Sequence, residues 1–171
     1  MNTTPSFVCA TCGTTHDGYP TDQAYGLPDM VWAIPEDERE SRARFDTDLC
    51  ECDGHFFIRT VLKVPLAGSA EDFGWGLWVE VHVDDFWHYV DVYETDATGE
   101  PPCPAKIANA PTFYPDALGA DVMMQFGTAK DRPSLYFHPD ATSELAIDQR
   151  DGMSAERHHG LLEALGYGAP A

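Results

Sequence analysis

The chain has 171 residues and carries 29 acidic against 10 basic side chains, a net charge of −19 at neutral pH. This length favours one domain, predicted to span residues 7–165, with flexible ends at 1–6 and 166–171. The acidic balance excludes nucleic-acid binding through clustered Lys and Arg, and it argues against binding to an anionic membrane surface.

The first half of the chain predicts a cysteine-containing turn, a helix and a β-hairpin. Residues 7–18 are predicted to form a zinc-knuckle-like segment, and residues 19–33 to be irregular because prolines interrupt them. A surface helix is predicted to begin at Pro35, with acidic side chains in its first turn. Residues 49–66 are predicted to form a hairpin around an Asp-Gly dipeptide, which is typical of tight turns.

The second half predicts further strands and short helices around a proline-rich loop. Strands in the middle of the chain with helices at its flanks favour an α+β fold built on an antiparallel sheet. The predicted elements are a strand at 76–83, a helix from the capping residue Asp84 to residue 93, a loop at 94–115, strands at 118–126 and 134–137, and helices at 143–150 and 155–165, the last capped by Ser154.

The N-terminus and the hydropathy pattern predict a cytoplasmic protein. The chain has no apolar run long enough for a signal peptide or a membrane span. Five cysteines without a leader favour a reducing compartment, where closely spaced cysteines more often bind metal than form disulfides. The strong negative field suits a basic protein as partner.

Two cysteine pairs predict a metal site. Cys9 and Cys12 are spaced so that both thiolates can enter one tight turn, which gives half of a tetrahedral zinc site. Cys50 and Cys52 lie two residues apart on a predicted strand and therefore share a face. Two ligand sets remain open, namely Cys9, Cys12, Cys50 and Cys52, or Cys9, Cys12, His16 and one of Cys50 and Cys52; His55 is a weaker candidate.

A closed set of four protein ligands favours a structural zinc ion over a catalytic one. The leading hypothesis is therefore a non-enzymatic, zinc-stabilised module that binds another protein, with the aromatic segment at 73–93 as core or as recognition patch. One alternative is a metal-dependent hydrolase with an open coordination position and Glu51 or Asp53 as base. A redox-sensing dithiol is the other alternative, although no helix pattern follows the first cysteine pair.

Several short motifs in a fixed order resemble DUF2199, a bacterial family of unknown function. The match covers roughly residues 7–155, and the motifs are Phe7-x-Cys9-x-x-Cys12-Gly13-x-x-His16, Asp48-x-Cys50-x-x-Asp53, Phe56-Phe57-Ile58-Arg59, Phe73-Gly74-Trp75-Gly76-x-Trp78, Tyr114-Pro115 and Arg132-Pro133. The resemblance implies no activity. It does imply Cys9, Cys12, His16 and Cys50 as ligands, because the position of Cys52 is more often apolar in the family. The chain departs from the family pattern at residues 143–145, where the family tends to have His-Pro-Leu.

Overall fold

The computed structural model describes residues 22–68 and 70–166, together with the backbone of residues 6–8 and 15–17. The strands are β1 (Ser6–Val8), β2 (Thr15–Asp17), β3 (Asp22–Ala24), β4 (Ala43–Phe45), β5 (Leu49–Cys52), β6 (His55–Pro65), β7 (Asp72–Val81), β8 (Cys103–Ile107), β9 (Asp121–Gln125) and β10 (Ser134–Tyr136). The helices are α1 (Asp29–Trp32), α2 (Glu36–Arg42), α3 (Val83–Val92), α4 (Glu144–Asp151) and α5 (Ala155–Ala164), with a 3-10 turn at Pro115–Ala117.

The longest element is the antiparallel pair β6–β7, which the alternating sequence dictates. The pair runs without a break from Phe56 opposite Val81 to Pro65 opposite Asp72. Alternate residues on both strands are buried because successive side chains point to opposite faces. The turn that joins β5 to β6 is the predicted pair Asp53-Gly54, and both of its residues have positive φ.

The sheet closes on itself into a small barrel. Its order is β3-β7-β8-β9-β10-β6-β5-β4, and the additional β7–β6 pairing joins five of these strands in a ring. The pairs β3–β7 and β10–β6 are parallel, so the sheet is mixed and the prediction of an antiparallel sheet was too simple. Closure buries the inward side chains of all five strands, among them Leu77, Met124 and Leu135.

A second apolar cluster lies on the opposite face of β6 and β7. Phe57 and Trp78 pack there against Val31 of α1 and against the thiols of Cys50 and Cys52 on β5. Asn109 joins the layers, since its buried side chain accepts a hydrogen bond from the backbone N–H of Trp78 at 2.8 Å and donates one to the carbonyl of Leu27 at 3.0 Å.

The C-terminal helices are attached to the barrel through a buried carboxylate. Asp148 of α4 accepts a hydrogen bond from the Tyr114 hydroxyl at 2.5 Å. It also forms an ion pair with Arg157 of α5 at 2.7 Å. The next residue, Gln149, donates to the carbonyl of Leu135 at 2.8 Å and accepts from the backbone of Phe137 at 3.0 Å. These contacts hold α4 against β10.

The other predicted elements agree with the structure in part. Ser154 caps α5 and α2 follows Pro35, as predicted, whereas Ser143, predicted as the start of a helix, is the cap of α4. The predicted cap of α3 was wrong, because the His82 ring accepts from the backbone of Asp84 and is itself the cap. The predicted loop at 94–115 contains β8, and the region predicted to be irregular contains β3 and α1.

The zinc-knuckle-like segment falls largely outside the described residues. The structure gives only the antiparallel pairing of β1 with β2, in which Phe7 lies opposite His16. Cys9 and Cys12 are not among the described residues. Among the described helices, none is long and apolar enough to cross a membrane.

Candidate functional site

Two loops dock on the middle of β6 and bring charged side chains together. The backbone N–H of Arg59 donates to the carbonyl of Asp48, and that of Val61 to the carbonyl of Pro133, both at 2.9 Å. The first contact holds the residues before β5, and the second holds the residues before β10. Asp48 and Arg132, which are 84 positions apart in the chain, therefore both lie beside Arg59.

Asp48 is fully engaged at this junction. One of its carboxylate oxygens accepts from Arg132 Nε at 2.8 Å, and the other accepts from the Tyr93 hydroxyl at 2.8 Å. Burial alone would raise the pKa of Asp48, but the hydrogen bonds from Arg132 and Tyr93 outweigh it and the pKa lies below its ordinary value. Asp48 is thus a carboxylate whose two oxygens are already used.

Arg59 lacks a matching anion of its own. Its Nη1 donates to the carbonyl of Thr47 at 3.3 Å, while its Nε is buried with no hydrogen-bond partner in the described part of the chain. Burial, followed by the charge of Arg132, lowers the pKa of Arg59, and the opposite charge of Asp48 only partly compensates. Two neighbouring guanidinium groups therefore share one carboxylate.

A compact loop between β9 and β10 sets the position of Arg132. At Gly127 an added Cβ would stand 2.5 Å from the carbonyl oxygen of Asp131 and 3.1 Å from that of Arg132. Only glycine allows this approach. The Thr128 hydroxyl donates to the Asp131 carboxylate at 2.7 Å and closes the loop, so Arg132 is held by backbone packing as well as by Asp48.

The two arginines line adjoining grooves on the outer face of the barrel. The larger groove has a volume of about 670 Å³, and a second of about 380 Å³ continues from it past Val61 and Arg132. Both volumes lie in the range of ligand-binding clefts. The basic side chains that line the grooves are four of the ten in the chain, namely Arg59, Lys63, Lys130 and Arg132.

The floor of the larger groove is nearly bare strand backbone. Gly74 and Gly76 stand on β7 opposite Lys63 and Val61 of β6. At Gly76 a Cβ would approach the Cβ of Ala24 on β3 to 2.8 Å, so the parallel pairing of β3 requires glycine there. Gly74 also lines the groove and places no side chain in it.

The far end of this groove is acidic. Asp22, Glu71 and Asp72 line it beyond Lys63. Asp22 and Asp72 are exposed, and within the described residues neither carboxylate has a hydrogen bond or an ion pair. The groove is therefore positive where the two arginines meet and negative at the opposite end.

The predicted metal ligands on β5 are buried thiols. Cys50 and Cys52 are 1% and 0% exposed, on the face that packs against the second apolar cluster. Burial raises the pKa of Cys50 to about 12, and burial likewise raises that of Cys52. Among the residues that the structure describes, no group of three or more His, Cys, Asp or Glu side chains is arranged to hold a metal ion.

The remaining candidates from the sequence lie apart from one another. His55 contacts Glu80 at 2.5 Å, and Asp53 forms an ion pair with Arg42 at 2.7 Å. In the aromatic segment, the indole of Trp78 is buried, whereas Trp87 is 52% and Tyr93 40% exposed. The segment is thus mainly core, and of these exposed rings Tyr93 lies at the arginine site.

One sequence signal could have indicated the arginine site. Arg59 interrupts an otherwise apolar and β-branched strand, and Arg132 precedes a proline and a further strand. Both residues belong to motifs on which the family resemblance rests, Phe56-Phe57-Ile58-Arg59 and Arg132-Pro133. Their proximity could not be read from the sequence, because it depends on how β10 pairs with β6.

Comparison with known proteins gives a family and no activity. The sequence profile of the family described as "Uncharacterized protein conserved in bacteria (DUF2199)" matches residues 8–153. No curated protein and no solved structure shows significant similarity to the chain.

Proposed function

Since the chain belongs to the bacterial family DUF2199, whose description assigns no activity, we propose from the geometry that it is a binding module whose site takes an anionic group between Arg59 and Arg132. The observation that carries the proposal is the buried Nε of Arg59, which has no hydrogen-bond partner among the described residues and lies beside a second guanidinium. A desolvated cation without a matched anion is costly. A bound carboxylate or phosphate would supply the missing charge.

The chemistry of the two side chains fits this ligand class. Guanidinium groups present parallel N–H donors that match the two oxygens of a carboxylate or phosphate. Arg132 donates to Asp48 through Nε alone, so the other N–H donors of its guanidinium remain available. Of the two tyrosines that line the smaller groove, neither is placed as a nucleophile or base, since the Tyr93 hydroxyl donates to Asp48 and burial raises the pKa of Tyr89.

Inorganic phosphate provides the first test. If phosphate binds with a dissociation constant of about 1 mM, 20 mM phosphate stabilises the fold by about 1.8 kcal/mol and raises Tm by about 4–6 °C. The comparison is made with sodium chloride at equal ionic strength, because any salt screens the charge of −19. Acetate in place of phosphate tests whether a carboxylate suffices. Equal shifts in all three salts would contradict the proposal.

A structural zinc ion is a second part of the proposal. The support is that Cys50 and Cys52 share one buried face of β5, as two ligands of a single ion would. Buried neutral thiols must lose their protons to bind zinc, so the site also needs the donors of Cys9, Cys12 and His16. Zinc would supply structural cross-linking there, and a basic protein partner would fit the net charge of −19.

Metal analysis of protein purified without added metal tests the zinc site. One zinc per chain is expected, and it should be lost in Cys9→Ser and Cys12→Ser but retained in the control Cys103→Ser. Cys103 is a buried residue of β8, opposite Met124 of β9, and is not part of the predicted ligand sets. Five titratable thiols in metal-free, folded protein would contradict the site. A disulfide on mild oxidation without zinc release would favour the redox alternative, and three protein ligands with a bound water would favour the hydrolase.

A further inference from the structure

The larger groove has opposite charges at its two ends, and this polarity indicates more about the ligand than an anion alone. Arg59 and Arg132 stand at one end, and Asp22 and Asp72 at the other. The single Lys63 between them forms no ion pair with Asp22 or Asp72 among the described residues. A ligand that extends along the groove therefore contacts positive side chains at one end and negative side chains at the other.

The strand register measures the distance between these ends. Lys63 lies opposite Gly74 in the β6–β7 pair, and Gly74 lies opposite Asp22 in the β3–β7 pair. Asp22 is therefore four residues along the strands from Arg59, about 13 Å, and two strands across the sheet, about 10 Å, so the two positions are about 16 Å apart. Asp72, opposite Pro65, is six residues along, or about 20 Å. A free amino acid is too short to span either distance.

The net charge of the protein narrows the ligand class. A chain with a charge of −19 repels a polyanion at long range, even though its groove has a basic end. A ligand that carries one anionic and one cationic group avoids this repulsion. An extended peptide has both groups, and its residue spacing matches that of the strands that form the groove.

We propose that the groove binds an extended peptide whose carboxylate lies between Arg59 and Arg132 and whose cationic group, about four residues away, lies beside Asp22 and Asp72. This inference rests on the proposed anion site and adds the ligand's length and its second charge. Gly74, which lines the groove without a side chain, leaves space for the peptide between its charged ends.

Tetraglycine and N-acetyl-tetraglycine are the probes, followed by chemical shifts in a titration at constant ionic strength. Both probes have the same carboxylate, and only tetraglycine has an ammonium group. We expect tetraglycine to bind about threefold to fivefold more tightly to the wild type, the effect of an exposed ion pair. In Asp72→Asn combined with Asp22→Asn the two peptides should bind equally. Asp116→Asn, which removes an exposed carboxylate outside the groove, should keep the difference.

The outcomes separate this inference from the anion site. If N-acetyl-tetraglycine binds as tightly as tetraglycine to the wild type, the cationic subsite is contradicted while the anion site stands. A preference for tetraglycine that persists in Asp72→Asn combined with Asp22→Asn also overturns it. If neither peptide nor phosphate binds, the anion site itself fails.

Discussion

Replacing Asp148 with alanine is expected to lower the free energy of unfolding by about 3 kcal/mol, because it leaves Arg157 and Tyr114 without their shared acceptor. The carboxylate is 4% exposed, so water cannot replace it. Arg157 retains 35% of its side-chain exposure, which places the effect at the lower end of the range for a broken buried ion pair. Urea denaturation of the purified variant measures the loss.

Asp151→Ala is the matched control for this change. It lies on the same helix, and its ion pair with Arg150 is on the surface, with side chains 61% and 45% exposed. Its removal should cost less than about 1 kcal/mol. Tyr114→Phe, which deletes only a hydrogen bond to a charged group, should cost about 2 kcal/mol. If Asp148→Ala and Asp151→Ala lose the same stability, the buried network does not anchor the C-terminal helices.

Replacing Arg59 with methionine is expected to abolish phosphate binding while leaving the unfolding free energy unchanged or raised by up to about 1 kcal/mol. If Arg59 served mainly to stabilise the fold, its replacement would instead lower the free energy of unfolding. The reason is that Nε of the half-buried Arg59 is itself buried without a hydrogen-bond partner among the described residues, and methionine fills the same space without a charge. Stability that increases as binding is lost is typical of functional sites.

Lys106→Met serves as the control, since it removes the same charge from β8, outside the two arginine-lined grooves. Lys106 forms a surface ion pair with Asp121, and its loss should leave the phosphate effect intact. Urea denaturation with and without phosphate is the measurement for both variants. An Arg59→Met protein that still gains stability from phosphate would place the anion elsewhere. A loss of several kcal/mol without ligand would make Arg59 a structural residue.

Local pattern was sufficient to predict the hairpin and the capped helices. The alternation along β6, the tight turn after β5 and the serines before α4 and α5 each act over a few residues. β8 was missed because prolines crowd its sequence. Pro104 is tolerated there because β7 ends at Val81, which pairs with Ala105, so no β7 residue lies opposite Pro104.

Neither the closure of the sheet nor the arginine site could be predicted from local sequence patterns. A three-residue strand such as β10 has too few positions to show a period, and its parallel pairing with β6 rests on one position, Ser134 opposite Val61. That pairing places Arg132 beside Arg59. The cysteine spacing, by contrast, indicated a metal site that includes β5. The structure describes buried thiols on β5, and the zinc site stays a prediction.

The most direct measurement is a phosphate titration followed through the Nε–Hε signals of the arginine side chains at constant ionic strength. The buried Nε of Arg59 and the Asp48-bound Nε of Arg132 should both give protected signals. If the pair holds an anion, these two signals shift together and saturate, whereas those of Arg39 and Arg150, outside the grooves, do not. Small, unsaturable shifts of equal size in every arginine would show only general screening and would contradict the account.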